Sequence, residues 1–314
     1  MHPAFSVIFF TTLIGVAQGL FIALSMSKVY ELANQELGLG QAFYSVGGVF
    51  VLALLASGLV ASFFHLGHPE RAWRSATQWR TSWLSREVIV LPVFMLVVFL
   101  FTVIHFFGGS SNSQLAMSLL GVILCFTLFI CTGMIYSCLT FLREWATPLT
   151  VVNFTLLGCA SGFSFATFYA ALMASELIGL LGGVAIMLTL IAFFTRGWAL
   201  IRNQNLKPKS TLQSAIGSHH SHIKQVSQGQ MGGSYNTREF FHGKPLSFIR
   251  NIKRIFLIAV FPVPIILLWI GMATDTGVVL FFAFVIQYVG LLMERWFFFA
   301  QANHPQNLYY QTIS

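Results

Sequence analysis

A short stretch of this chain, HLGHPERAWRSATQWRTSWLSRE from His65 to Glu87, gathers ionisable and aromatic groups between two hydrophobic runs. His65 closes the first run and Glu87 opens the second. If the loop folds back, both face one interfacial cavity. There a neutral histidine can donate to, or accept from, an oxygen of a small ring. A carboxylate beside it can relay a proton to water. Arg71, next to Glu70 and within possible reach of Glu87, would hold that carboxylate charged and oriented. A quinone needs this combination: an apolar slot, a proton-exchanging group at each carbonyl, and access to a redox centre. The same loop also has an ordinary reading, in which arginines and acids are solvated and Trp79, Arg80 and Trp83 anchor the helices at headgroup depth. On chemistry alone both readings stay open.

The elements that must position these groups follow from composition. Of 314 residues only 8% are charged and 56% are hydrophobic, with a mean hydropathy of +0.78. Soluble domains carry roughly 25% charged residues. Several runs here exceed the roughly 18 apolar residues that a span requires, so the chain is expected to be a polytopic membrane protein. The net charge of +8 resides in loops between the runs, which reads as membrane topology and not as a nucleic-acid surface. MHPAFSVIFF has no basic leader, and its apolar run continues to about Met26, which suits a retained first span. Cys125, Cys131, Cys138 and Cys159 lie inside apolar runs without a CxxC pattern. That argues for buried thiols and against an iron–sulfur cluster or structural zinc in this chain.

The fold class expected is an all-α integral membrane protein. Its eight transmembrane helices are placed near 6–27, 42–64, 88–107, 115–142, 151–174, 177–200, 252–273 and 277–300, in a single polytopic domain spanning 1–314. Backbone amides in hydrocarbon must pair within their own segment, which requires helices, and the alternation of a barrel is absent. Eight spans put both termini on one side. Sixteen of the seventeen Lys and Arg fall on that side or at span ends facing it, and only Lys28 falls opposite. Positive residues stay inside, so both termini are expected in the cytoplasm. The segment 203–251, rich in Ser, Gly, Gln and His, is then a long cytoplasmic loop suited to contacting a partner. Its His219, His220 and His222 lack the second ligand group of a metal site.

Two other chemistries fit poorly. His65 and His105 are the histidines at or within spans, at ends roughly 25–30 Å apart, so no single haem is ligated by both. A secondary transporter usually buries charge at the helix breaks of its substrate site. The polar groups read well inside these spans (Gln18, Thr127, Thr132, Ser137, Ser161, Ser164 and Gln287) are uncharged, and interhelical hydrogen bonds account for them.

HLGHPERAW followed by WLSRE, together with MHPAFSVIFFTTLIGVAQGL at the start and NTREFFHG in the last long loop, resembles the dimethyl sulfoxide reductase membrane anchor subunit family. Within it, the likeness is greatest to the anchors of cytoplasm-facing sulfite dehydrogenases. The resemblance implies two four-helix bundles and a three-subunit enzyme of the bacterial cytoplasmic (inner) membrane. A molybdenum bis-pterin subunit and a ferredoxin-like subunit with four iron–sulfur clusters would lie on the cytoplasmic side. The anchor itself would hold no haem or cluster and would exchange electrons with ubiquinone or menaquinone. By position, the family's quinone site falls on His65, Gly67, Arg71 and Glu87, with Trp73 and Ser75 as neighbours. Gly67 would let the loop backbone turn or approach the ring. Anchors of polysulfide, tetrathionate or dimethyl sulfoxide reductases are the related alternatives, and a transporter is the unrelated one.

Overall fold

The computed structural model describes residues 1–34, 38–64, 66–207, 210–224, 226, 242–305 and 307. Among them every regular element is a helix. In chain order these are α1 (Phe5–Ala33), α2 (Gln41–Phe63), a 3-10 segment (Pro69–Ala76), α3 (Trp83–Phe106), α4 (Ser111–Ser137) and α5 (Pro148–Met173). After a short 3-10 turn follow α6 (Ile178–Gln204), the five-residue α7 (Leu212–Ile216), α8 (Leu246–Val260), α9 (Pro262–Thr274) and α10 (Gly277–Ala300). Counting α8 and α9 together, eight helical stretches among the described residues are long and apolar enough to cross a membrane. Of the 203–251 loop expected to contact a partner, residues 208–209, 225 and 227–241 fall outside the described residues, and with them all of NTREFFHG but His242 and Gly243.

Local chemistry sets the ends. The Ser82 hydroxyl accepts from the Ser85 amide at 3.4 Å and starts α3 at Trp83, five residues before the expected 88. Glu87 therefore lies a full turn inside the helix and not at its mouth. Helix α4 stops at Ser137, short of 142, because Trp145 in the following loop turns back to donate from Nε1 to the Phe298 carbonyl at 2.9 Å. Pro262 at the start of α9 brings no amide hydrogen, and the seventh span breaks at Phe261 (φ −111°, ψ −79°). At the other membrane face α1 runs on to Ala33, because Lys28 pairs with Glu31 at 2.9 Å and Tyr44 of α2 donates to the same carboxylate at 3.0 Å.

Helices α1–α4 pack into one four-membered ring (α1 on α2, α2 on α3, α3 on α4, α4 on α1), and α5, α6, α9 and α10 close a second. The seam between them is α1 against α5. A Cβ on Gly19 would lie 2.5 Å from the Gly158 carbonyl oxygen, and one on Gly162 would run into the Gly19 backbone. Gly15 and Gly19 face Gly158 and Gly162, each pair four residues apart. Such small-residue faces let helices touch backbone to backbone where lipid supplies no hydrophobic drive for association. The amine of Met1 donates to the Ala302 carbonyl at 2.8 Å, so the first and last spans end on one face.

One expectation needs correction. The spans do hold charge: Arg196 of α6 and Glu294 and Arg295 of α10 are buried. Arg196 Nε lies 2.7 Å from Glu294 Oε1, and Arg295 Nε lies 3.0 Å from Glu294 Oε2. The Arg295 guanidinium also covers the Phe154 ring at 3.7 Å. The pattern escapes a reading by hydropathy because three mutually paired residues barely lower the average of two long apolar runs.

Two substitutions test this packing. Gly162→Val is expected to destabilise the purified protein by more than the ~1–3 kcal/mol of ordinary overpacking, since backbone and not a flexible side chain would have to move. Gly183→Val, where a Cβ meets nothing within 4 Å, is the control and is expected to melt close to wild type in detergent.

Candidate functional site

Where the 3-10 segment folds back over the ends of α1 to α4, the chain leaves a cavity of about 370 Å³. Val7 and Phe10 of α1, Leu59 and Phe63 of α2, Val88, Leu91 and Pro92 of α3, and Ile135 of α4 make its apolar wall. Its polar wall is short: Ser62, Trp73, Ser75, Glu87 and Tyr136. Of the six expected site residues the fold brings Trp73, Ser75 and Glu87 together here.

Glu87 is the chemically distinctive member. It is 4% exposed, in a span, and forms no ion pair among the described residues. Its Oε1 accepts the hydroxyl hydrogen of Thr132, which projects from α4. An isolated carboxylate in apolar surroundings is costly unless it is hydrogen-bonded or neutralised, so Thr132 is part of what lets Glu87 stand there.

The structure revises the role expected for Arg71. Its Nε lies 3.7 Å from Glu70 Oε1 on the exposed loop, where His68 Nδ1 also approaches that carboxylate oxygen at 3.1 Å. Thr132 takes the place assigned to it beside Glu87, because α3 starts early and carries Glu87 below the loop. Gly67 does not line the cavity either. It has no positive φ, and a Cβ there would meet nothing within 4 Å, so neither strain nor crowding demands glycine. His65 lies outside the described residues.

The loop's cations and tryptophans pair with one another. The guanidinium groups of Arg74, Arg80 and Arg86 cover the rings of Trp73, Trp79 and Trp83 at 5.6, 5.3 and 4.2 Å. Arg86 also donates from Nε to the Trp79 carbonyl at 3.0 Å and from Nη2 to the Arg80 carbonyl at 2.8 Å, tying the loop to α3. Tyr136 and Ser62 were not read from the sequence as site residues. A signal existed for the first: Thr132 and Tyr136 are four apart and share a helix face, but pairing that face with Glu87 needs the α3–α4 register. Among the described residues no group of three or more His, Cys, Asp or Glu is placed to hold a metal ion.

Fold and site together define a multi-pass helical membrane protein that offers a small apolar cavity, with the buried carboxyl group of Glu87 in its wall, at the face where its arginine-rich loop lies. The sequence matches the family described as DMSO reductase anchor subunit (DmsC) over residues 1–301. It is also 48% identical, over the full length of both chains, to a sulfite dehydrogenase subunit of Allochromatium vinosum. The chain belongs to the DMSO reductase anchor subunit family.

Thr132→Val is expected to lower stability by about 1–3 kcal/mol by leaving a buried acceptor without its donor. Thr132→Ser is expected to restore most of it. Thermal unfolding of the detergent-solubilised protein checks both.

Proposed function

We propose that this chain is the quinone-reactive membrane anchor of a molybdopterin iron–sulfur oxidoreductase, and that the cavity around Glu87 takes the quinone ring. The observation that carries the reading is a buried carboxylate opening into an otherwise apolar, ring-sized space. An anchor needs no proton-carrying group merely to hold a partner to the membrane, whereas reduction of a quinone takes up two protons with two electrons. In this reading the apolar wall accepts the ring and the start of its tail, and Trp73 covers it from the loop. Glu87 exchanges protons with a ring oxygen. His65, Gly67 and Arg71 enter through the family resemblance alone.

The name of the relative from Allochromatium vinosum, and the bias of basic residues toward the face bearing both termini, favour sulfite oxidation on the cytoplasmic side. Electrons would then leave sulfite at a molybdenum subunit, pass through a ferredoxin-like subunit with four iron–sulfur clusters, and reduce ubiquinone or menaquinone here. Protons would come from the cytoplasm as well, so this step would store no transmembrane charge. The same cavity would serve quinol oxidation in a polysulfide, tetrathionate or dimethyl sulfoxide reductase. Partner identity, not this chain, sets the direction. Family membership leaves the transporter reading without support.

In the assembled complex, Glu87→Gln is expected to slow quinone-linked turnover by about 10²-fold or more, the usual worth of a positioned proton-transfer group. Turnover with an artificial acceptor that draws electrons directly from the partner subunits is expected to stay near wild type. Equal loss of both activities would contradict the assignment. A reporter fused after Ser314 is expected to read cytoplasmic, and a periplasmic signal would remove the topological argument for sulfite oxidation.

A further inference from the structure

Tyr136 is a wall residue of the cavity to which neither the family resemblance nor the relative assigns a role. We infer that it is the hydrogen-bond donor that fixes one carbonyl oxygen of the bound ring, an inference that rests on reading the cavity as a quinone site.

Register places it there. Thr132 and Tyr136 lie one turn apart on the same face of α4. The Thr132 hydroxyl is committed to Glu87, which pins that face to α3. Tyr136 then comes one turn closer to the loop, where it lines the cavity with Glu87.

Packing removes its freedom. The Tyr136 ring stacks on Phe154 with centroids 5.4 Å apart and planes at 22°. Edge-on contacts to Trp145, Phe298 and Phe299 at 5.4, 5.6 and 5.5 Å hold it from the other sides. Four aromatic neighbours leave the phenol little motion beyond rotation of its hydroxyl hydrogen. Such a donor is preorganised, and a ligand bound to it need not order a side chain.

The donor is also unspent. Ser62 and Ser75, the other hydroxyls in the wall, donate to the carbonyls of Leu59 and Ala72 at 2.7 and 2.5 Å. Tyr136 makes no hydrogen bond among the described residues. A tyrosine packed among apolar rings ordinarily finds a partner for its hydroxyl. A lipid acyl chain in the cavity would supply none, whereas a ring bearing a carbonyl oxygen would. The Arg295 guanidinium covers the same Phe154 ring on which Tyr136 stacks. Tyr136 thus orients the ring, and Glu87, one turn deeper, exchanges the proton.

Tyr136→Phe removes the hydroxyl and keeps the aromatic packing. In the whole complex, assayed with a short-tailed soluble quinone, kcat/KM is expected to fall roughly 10- to 100-fold, the worth of a donor left out of a buried polar contact. Affinity for a competitive inhibitor bearing a ring carbonyl is expected to weaken in parallel. The artificial-acceptor rate and the melting temperature report whether assembly has survived. If kcat/KM stays within about twofold of wild type while Glu87→Gln slows quinone turnover, Tyr136 only packs, and the inference is overturned with the cavity reading intact. If neither variant slows quinone turnover, both are overturned. A fall shared equally with the artificial-acceptor rate would show a structural role and would also overturn the inference.

Discussion

The close contact of α1 with α5 is the constraint on which the rest depends. Hydrocarbon offers helices no hydrophobic gain from meeting, so their association rests on van der Waals fit and polar contacts. Gly15, Gly19, Gly158 and Gly162 supply that fit by letting two backbones touch. The seam joins the two four-helix rings and also builds the site. The first turns of α1 bring Val7 and Phe10 into the cavity wall. Helix α5, held against α1, brings Phe154 under Tyr136. A polar bond adds to the same arrangement where Gln18 of α1 donates to the Cys125 carbonyl of α4 at 2.8 Å.

Buried charge is distributed with equal economy. Lys28 and Glu31 neutralise one another at the face opposite the arginine-rich loop, and Arg196, Glu294 and Arg295 do so in part within the second ring. Glu87 differs from both in having a hydroxyl in place of a cation and a cavity beside it. Along α3, from Glu87 toward the opposite face, the buried stripe is Leu91, Phe94, Val98 and Phe101, none more than 3% exposed. Among these buried residues of α3, the side chains between Glu87 and Thr102 are all apolar. In the proposed reading, Glu87 would exchange its protons with the face that bears the arginine-rich loop.

Much of the architecture was legible because hydropathy reports directly on the solvent of each segment. Each of the eight expected segments holds a helix long and apolar enough to cross a membrane, with the ends shifted where serine caps or paired charges extend a helix past the apolar run. The start of α3 mattered most: missing the Ser82 cap put Glu87 at a loop mouth and gave it Arg71 as a partner. Thr132 was read as an interhelical hydrogen-bonding group, which it is, but its acceptor lies 45 residues away and only the α3–α4 register reveals it. The glycine seam and the Arg196–Glu294–Arg295 group depend likewise on which helices meet. Tyr136 was invisible for a further reason: a tyrosine near the end of an apolar run reads equally well as an interfacial anchor.

The central claim is that the ring of a quinone occupies the cavity at Glu87. Two other apolar grooves open on the surface, one lined by Phe5, Phe9, Phe248 and Trp296 and one by Ala42, Val46, Val49 and Phe106. Photolabelling of the membrane-bound complex with an azido-quinone, followed by mass spectrometric mapping of the modified peptides, separates the three places directly. The account predicts labels within 59–92 and at 135–136, competed away by unlabelled quinone. Competable labelling confined to either groove would contradict it.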